Sequence, residues 1–402
     1  MKKTIAIVGA LDTKGQEFAF LKSEIEKRGC ATLVVDTGVL GEAVFEPDVS
    51  REQVAQAGGS NLSQLIEHKD RGEAMAVMTK GAAEIARELY EGKRIDGIIS
   101  MGGGGGTVIG TSAMRSLPVG FPKLMVSTLA SGDTAPYVST TDITMMPSVV
   151  DVAGVNRISR RIYTNAAGAI CGMALGEIES GDDKPLIAAS MFGNTTTAVD
   201  HARQIMESKG YEVLVFHATG TGGQTMEALV ADNYISGVLD ITTTEWADEV
   251  CGGVLSAGPH RLEAAARAGI PQVVVPGCID MCNFWARDTV PEKYAGRTFY
   301  EWNPNVTLMR TTPEENQRMG KIFAEKLNPA SGPVAVLIPL KGFSQLDLEG
   351  QPFYWPETIQ AFITALKGDI RQDIPVTELD YDINAPEFSR QVAEILLAML
   401  DN

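Results

Sequence analysis

The sequence predicts an α/β fold of two Rossmann-like parallel-sheet subdomains, related as a diverged duplication. Three observations lead there. Short β-branched apolar runs alternate with amphipathic stretches of helical length, the alternation restarts after a polar segment, and the two halves align with each other on strand, loop and glycine positions.

In the first half the order is "TIAIVGA", a helical stretch over 14–28, "ATLVVD", a helical stretch over 72–91, "IDGIISMG", a helical stretch over 107–116, then "PKLMVST". Runs such as "GIIS" carry no polar alternation, which fits strands buried on both faces of a parallel sheet. The pattern restarts after "GDDKP" at 181–185, so the expected domains are 1–182 and 183–402. The stretch 5–38 lines up with 187–220, Gly29 falling opposite Gly210, and "PKLMVSTLASGD" lines up with "PQVVVPGCIDMC".

Composition narrows the function classes. The chain has 402 residues, 44% hydrophobic and 21% charged, with 34 basic against 51 acidic residues and a net charge of -17. That excess of acids, with no basic stripe, argues against nucleic-acid binding. "MKKTIAIVGALD" reads as a first strand, because its apolar run is too short for a signal peptide. Without an apolar run of membrane-spanning length, the expectation is a cytoplasmic protein that does not engage a membrane. The five cysteines, Cys30, Cys171, Cys251, Cys278 and Cys282, are scattered and odd in number, so they form no disulfide framework. Cys278 and Cys282 have C-x3-C spacing with no second pair or nearby histidine, which disfavours zinc.

In open parallel sheets ligands bind beyond the carboxyl ends of the strands. The first half places "GALDTKGQE", "DTG", "GGGGGT" and "STLASGDT" there. Five consecutive glycines, Gly102, Gly103, Gly104, Gly105 and Gly106, exceed what a tight strand-to-helix turn requires. Their amides ahead of a helix start suit a phosphate or carboxylate, with Thr107 at the helix start. Lys14 is placed either to add charge at the phosphates or to sit solvated. Asp12 and Asp133 are candidates for Mg2+, and Asp36 for a ribose hydroxyl or for simple turn capping. Neither a P-loop nor a dinucleotide fingerprint is present.

The second half presents "FGNTTTA", "HATGTGGQTME", "DITTTEWADE", "PGCIDMCNFW" and "PLKGFSQLD". "ATGTGGQTME" suggests a second anion cradle. His217, matching Asp36, is the histidine best placed for acid–base work, although a ring satisfied by local backbone is an equal alternative; His68, His201 and His260 carry no cue. Asp240, Glu245, Asp248 and Glu249 offer a metal or acid–base site, but a solvated helix N-terminus is the commoner fate. Lys341 is a candidate for carboxylate or carbonyl chemistry, and Cys278 for a low-pKa thiol.

Taken together, "GALDTKGQE", "GGGGGT", "STLASGDT", "FGNTTTAVD", "HATGTGG", "PGCIDM" and "PLKGFS" resemble the bacterial and plant family of ATP-binding domains typified by the N-terminal half of the tomato mosaic virus resistance protein. The resemblance implies two Rossmann-like subdomains, ATP with Mg2+ bound mainly by the first, and a homodimer or higher homo-oligomer. In the plant protein it also implies inhibition of a viral replication protein, a role that does not carry over to this chain. Its ATP loops match Gly9 to Lys14, including Asp12 and Thr13, and Gly102 to Thr107, with Ser131, Gly132, Asp133 and Thr134 beside them. The expectation is an ATP-Mg-binding protein with a small anionic metabolite in an interdomain cleft. The alternatives are an enzyme acting on a phosphorylated or carboxylated metabolite, and a non-catalytic nucleotide-sensing or protein-binding module.

Overall fold

The computed structural model describes residues 2–177, 181 and 183–401. The chain forms two compact units, 1–180 and 181–402. The boundary expected at 182 falls at residues 178–180 and 182, outside the described residues.

The first unit runs β1 (Thr4–Gly9), α1 (Leu11–Lys27), β2 (Ala31–Asp36), α2 (Arg51–Ala57), α3 (Leu62–His68), α4 (Arg71–Glu91), β3 (Gly97–Gly102), α5 (Gly104–Arg115), β4 (Lys123–Ser127), α6 (Ala135–Val138), β5 (Thr144–Pro147) and α7 (Arg157–Leu175). The strands are all parallel, in the order β2-β1-β3-β4-β5. Residue alternation splits the strand side chains between two cores. Ala6, Val8, Leu33, Val35 and Ile98 face one helical layer, and Ile5, Ile7, Val34, Ile99 and Leu124 face the other. Burying each such aliphatic side chain stabilises by about 1.5–3 kcal/mol before the entropy of ordering it. Local chemistry fixes the helix ends. Asp70 accepts from the amides of Gly72 and Glu73 to open α4, and Asn156 caps α7.

The second unit begins with β6 (Leu186–Met191), α8 (Thr196–Ser208), β7 (Glu212–His217), α9 (Thr221–Ala231), β8 (Ile235–Thr242), α10 (Glu245–Cys251), α11 (Ala264–Ala268) and β9 (Gln272–Gly277). It continues through β10 (Met281–Phe284), β11 (Phe299–Asn303), β12 (Val306–Arg310), α12 (Pro313–Leu327), β13 (Val334–Pro339), α13 (Pro356–Asp369), β14 (Val376–Leu379) and α14 (Pro386–Leu400). Its parallel sheet has the order β14-β13-β9-β8-β6-β7. Read from β7 inward this repeats the first sheet's order, with one strand added at the far edge. Between β9 and β13 lies an antiparallel sheet, β10-β12-β11, that the strand–helix alternation does not predict. Among the described residues no helix is long and apolar enough to cross a membrane.

In both sheets the order reverses beside the first strand, which opens a crevice at the strand C-termini there. In the first unit that point lies between β1 and β3, where the glycine run begins.

Candidate functional site

Strand β3 ends at Gly102, Gly103 is the N-cap residue, and α5 starts at Gly104. Two of the glycines are required by the turn itself: a Cβ on Gly102 would lie 2.8 Å from Gly106 Cα, and one on Gly106 would lie 3.2 Å from Met101 O. The three between them are not: a Cβ on Gly103 would make only ordinary contact with Thr128 Oγ1, at 3.7 Å. A Cβ on Gly104 would meet nothing within 4 Å, and one on Gly105 only the end of Met75, at 3.5 Å. No side chain caps α5. The first helical bond of this turn is Thr107 N to Gly103 O, at 2.9 Å. The amides of Gly103 to Gly106 therefore precede the α5 hydrogen-bond ladder, at the positive end of the helix dipole.

Thr107 does not sit at the mouth of this turn. It is one turn into α5 and fully buried, donating to Gly103 O at 2.7 Å and meeting Ser127 Oγ at 2.6 Å. Its role is to pin the turn to β4.

The turn opens into a cavity of about 740 Å³ built wholly from the first unit. Gly102, Gly103, Gly105 and Gly106 line it, together with Asp12, Thr13 and Lys14. Lys14 leaves helical geometry inside α1, at φ -129° and ψ 19°. Asp12 Oδ2 accepts from the amides of Leu40 at 2.7 Å and Gly41 at 3.1 Å, fixing the loop after β2 against the cavity. Asp12 Oδ1 is buried and has no hydrogen-bond partner.

Sequence reasoning missed the opposite wall. Lys69 and Arg71, at the α3–α4 junction, line the same cavity, as do Leu65, Ile66, Met75 and Met78. Among the described residues Lys14, Lys69 and Arg71 make no ion pair. The available signal was "HKDRG", two cations flanking the α4 cap residue; it lies far in sequence from any strand end.

Other expected members lie elsewhere. Asp36 is only 1% exposed, and its Oδ1 accepts from the amides of Leu11 at 3.0 Å and Gly38 at 2.9 Å. It caps the turn and is not open to a ribose; burial pushes its carboxyl above the usual carboxylate range. Ser131, Gly132, Asp133 and Thr134 do not line the cavity. Asp133 instead accepts from the amide of Ala135 at 3.0 Å, opening the four-residue α6. Among the described residues no three His, Cys, Asp or Glu side chains cluster as a metal site, there or elsewhere.

In the second unit the glycine-rich helix start after β7 is filled from within. Glu245 Oε1 accepts from the amides of Gly220 at 2.8 Å and Gly223 at 3.1 Å, at the start of α9. Its Oε2 accepts from Arg261 Nε at 2.7 Å. Arg261, 1% exposed, also holds Asp240 through two bonds of 2.5 and 2.6 Å, and Glu227 at 3.2 Å. A Cβ on Gly223 would fall 2.2 Å from Glu245 Oε2, so that glycine makes room for the carboxylate. Asp240, Glu245 and Asp248 are thus buried structural acids, not a solvated helix start. Asp248 accepts from the amides of Leu255 and Asn283, each at 3.1 Å, and from Asn283 Nδ2 at 2.7 Å. Burial lifts its pKa to about 7. Glu249 takes a hydrogen bond from Ser256 Oγ.

The three reactive candidates do not converge; among the described residues no hydrogen bond or ion pair joins them. Cys278 is fully buried, and burial pushes its thiol up, with Asp280 and Asp347 adding to the shift. It is therefore not the low-pKa thiol expected. Lys341 is exposed and donates to Asp380 Oδ2 at 2.9 Å. His217, at the end of β7, stacks on Phe192 with centroids 5.4 Å apart, and desolvation lowers its pKa.

Comparison with known proteins places this architecture. Residues 3–179 match the N-terminal domain, and residues 184–400 the C-terminal domain, of the Uncharacterised protein family (UPF0261). A UPF0261 protein of Clostridium tetani is 53% identical over 403 residues, covering 100% of both chains. One from Mesorhizobium japonicum is 47% identical, covering 98% of each. The ToMV resistance protein Tm-1(GCR237) of Solanum lycopersicum is 41% identical over 335 residues, which cover 81% of this chain and 44% of that one. Among solved structures, a UDP-N-acetylglucosamine 2-epimerase from Rickettsia bellii aligns over 100% of this chain and 98% of its own, at 11% identity and a TM-score of 0.25, too low to carry an argument. On the family match and the full-length relatives, this chain belongs to the UPF0261 family.

Proposed function

We propose that the first unit binds ATP with Mg2+. One observation carries this reading: an uncapped glycine helix start opens into the same cavity as three cationic side chains that have no carboxylate partner. Helix-start amides and unpaired cations together suit a polyphosphate. A cavity of about 740 Å³ is of the size that encloses a ligand of nucleotide dimensions. Leu65, Ile66, Met75 and Met78 supply an apolar wall for the base.

The residues present fit the group. Gly103 to Gly106 and Lys14 would hold phosphate oxygens, and Lys69 and Arg71 would balance their charge. Asp12, with one buried oxygen unpartnered, is the carboxylate available to Mg2+, in place of Asp133. When bound, the metal neutralises phosphate charge. In the second unit, the helix-start anion site is already taken by Glu245.

Calorimetric titration with MgATP tests the reading. Wild type should bind with a dissociation constant at or below roughly 100 μM. Gly105→Ala fits sterically and projects a methyl into the cavity, so it should melt as wild type yet lose about tenfold or more in affinity; Lys14→Ala should lose a similar factor. Wild type that binds no MgATP, or both variants binding as wild type, would overturn the assignment.

A further inference from the structure

We infer that this cavity selects its ligand by phosphate number and does not read the nucleobase. The inference rests on the nucleotide reading above and follows from where the cavity's spare hydrogen-bonding capacity lies.

Base discrimination needs fixed donors and acceptors facing the base edge, and the loop after β2 has already used most of its own. Thr37 N donates to Gly9 O at 2.9 Å and Gly38 N to Asp36 Oδ1 at 2.9 Å, while the amides of Leu40 and Gly41 both go to Asp12 Oδ2. Carbonyls on the same rim are engaged too: Gly9 O by Thr37, Ala10 O by Lys14, and Gly103 O by Thr107. No Asn, Gln or His lines the cavity, Ser100 and Thr37 are buried, and the exposed hydroxyl, Thr13, stands between Asp12 and Lys14 on the phosphate side. The α3–α4 wall is aliphatic and thioether, and methionine adapts to ligands of different shape. Leu40 and Ile66, both lining the cavity, are 83% and 47% exposed, leaving apolar surface free to cover a flat ring of any hydrogen-bond pattern.

Unspent capacity is concentrated in groups that recognise anions. It includes Lys14, Lys69, Arg71 and the amides of Gly103 to Gly106, with the Thr13 hydroxyl and Asp12 Oδ1 beside Lys14 in the first turn of α1. Sites that hydrogen-bond a substrate group reject analogues lacking it by about 10⁴-fold or more, whereas apolar pockets discriminate by roughly 10–200-fold. Toward the base the cavity falls in the second class, whereas toward phosphate its cations and helix-start amides make discrimination accumulate with each phosphate removed.

The test is a calorimetric series on the full chain with Mg2+ present, using ATP, GTP, CTP, UTP, ADP, AMP, adenosine and inorganic tripolyphosphate. The four triphosphates should fall within about tenfold of one another, and affinity should drop about tenfold with each phosphate removed. Tripolyphosphate should compete, and adenosine should give no heat. The double variant Lys69→Ala, Arg71→Ala should compress the ATP-to-AMP ratio and leave the ATP-to-GTP ratio unchanged. Independently of any variant, raising salt should weaken ATP and GTP in parallel. ATP preferred over the other three by more than about 100-fold, or adenosine binding as tightly as ATP, would overturn the inference while leaving the nucleotide reading standing. A chain that binds none of the triphosphates would overturn both.

Discussion

Truncating Glu245 to alanine removes a carboxylate that satisfies two backbone amides and one face of a buried guanidinium. The amides of Gly220 and Gly223 lose acceptors at 2.8 and 3.1 Å, and Arg261 Nε loses one at 2.7 Å. Arg261 keeps Asp240 and Glu227, so its charge remains paired; the cost comes from unsatisfied donors and the cavity left behind. Leaving a buried donor unsatisfied costs about 1–3 kcal/mol, so the loss of three acceptor contacts should cost about 3–5 kcal/mol after local relaxation. For a unit of this size that corresponds to a fall of roughly 6–20 °C in melting temperature. Glu245→Gln keeps an acceptor for the glycine amides but turns its NH2 toward the Arg261 Nε–H, two donors face to face, so it too should destabilise. The reading of this feature as an anion cradle adds a sharper outcome: formate should raise the melting temperature of Glu245→Ala and leave wild type unmoved. Differential scanning fluorimetry and urea unfolding measure both effects. A Glu245→Ala protein within about 1 kcal/mol of wild type would refute the account of the plug. Destabilisation without formate rescue would refute the claim that α9 presents an anion site.

Three further outcomes follow. Gly102→Ala places a methyl 2.8 Å from Gly106 Cα and should destabilise by about 1–3 kcal/mol in urea unfolding, whereas Gly104→Ala meets nothing and should be neutral or stabilise by up to about 1 kcal/mol. Native protein should not react with a thiol-specific alkylating reagent at Cys278, since all five cysteines are buried; labelling at the rate of a free thiol would contradict that burial. Asp248 has a folded pKa raised to about 7 against an unfolded value near 4, so its contribution is fully present below about pH 4 and is lost as pH rises through 7. Unfolding free energy should therefore decline by up to about 1.4 kcal/mol per pH unit between pH 5 and 7, and Asp248→Asn, accommodated by a flip of the Asn283 amide, should flatten that slope.

What the sequence made legible is what local chemistry decides. The runs at β1 to β4 are β-branched, short and free of alternation, so their burial on both faces could be read directly. The sheet β10-β12-β11 could not be read the same way. "MCNF", "FYEWN" and "VTLMR" mix polar and apolar residues at no clean period, and their pairing is decided by what they cover: Cys282, Phe284 and Met309 pack with Cys251, and Met281 and Leu308 pack with Cys278. The acidic run at 240–249 was misread for a related reason. Its fate depends on Arg261, whose guanidinium reaches both Asp240 and Glu245, and nothing in the intervening sequence marks that partnership. The α3–α4 wall of the cavity escaped because a search of strand ends does not visit a helix junction.

The two glycine-rich helix starts show why such loops mislead. "GGGGGT" and "ATGTGG" are both rich in glycine and threonine and both run from a strand end into a helix, the first after β3 and the second after β7, so sequence assigns both to anions. Both do present amides in that way, but the occupants differ. At α9 the glycines make room for Glu245 and for the backbone, since a Cβ on Gly222 would lie 1.8 Å from His217 O. At α5 a Cβ on Gly104 would meet nothing within 4 Å, and one on Gly105 only the end of Met75. A glycine whose missing Cβ is explained by neighbouring protein atoms accounts for itself structurally. Gly105, which lines the cavity and whose Cβ would touch only the flexible end of Met75, has no such account from neighbouring backbone, and the proposed ligand therefore belongs to the first unit and not to the second.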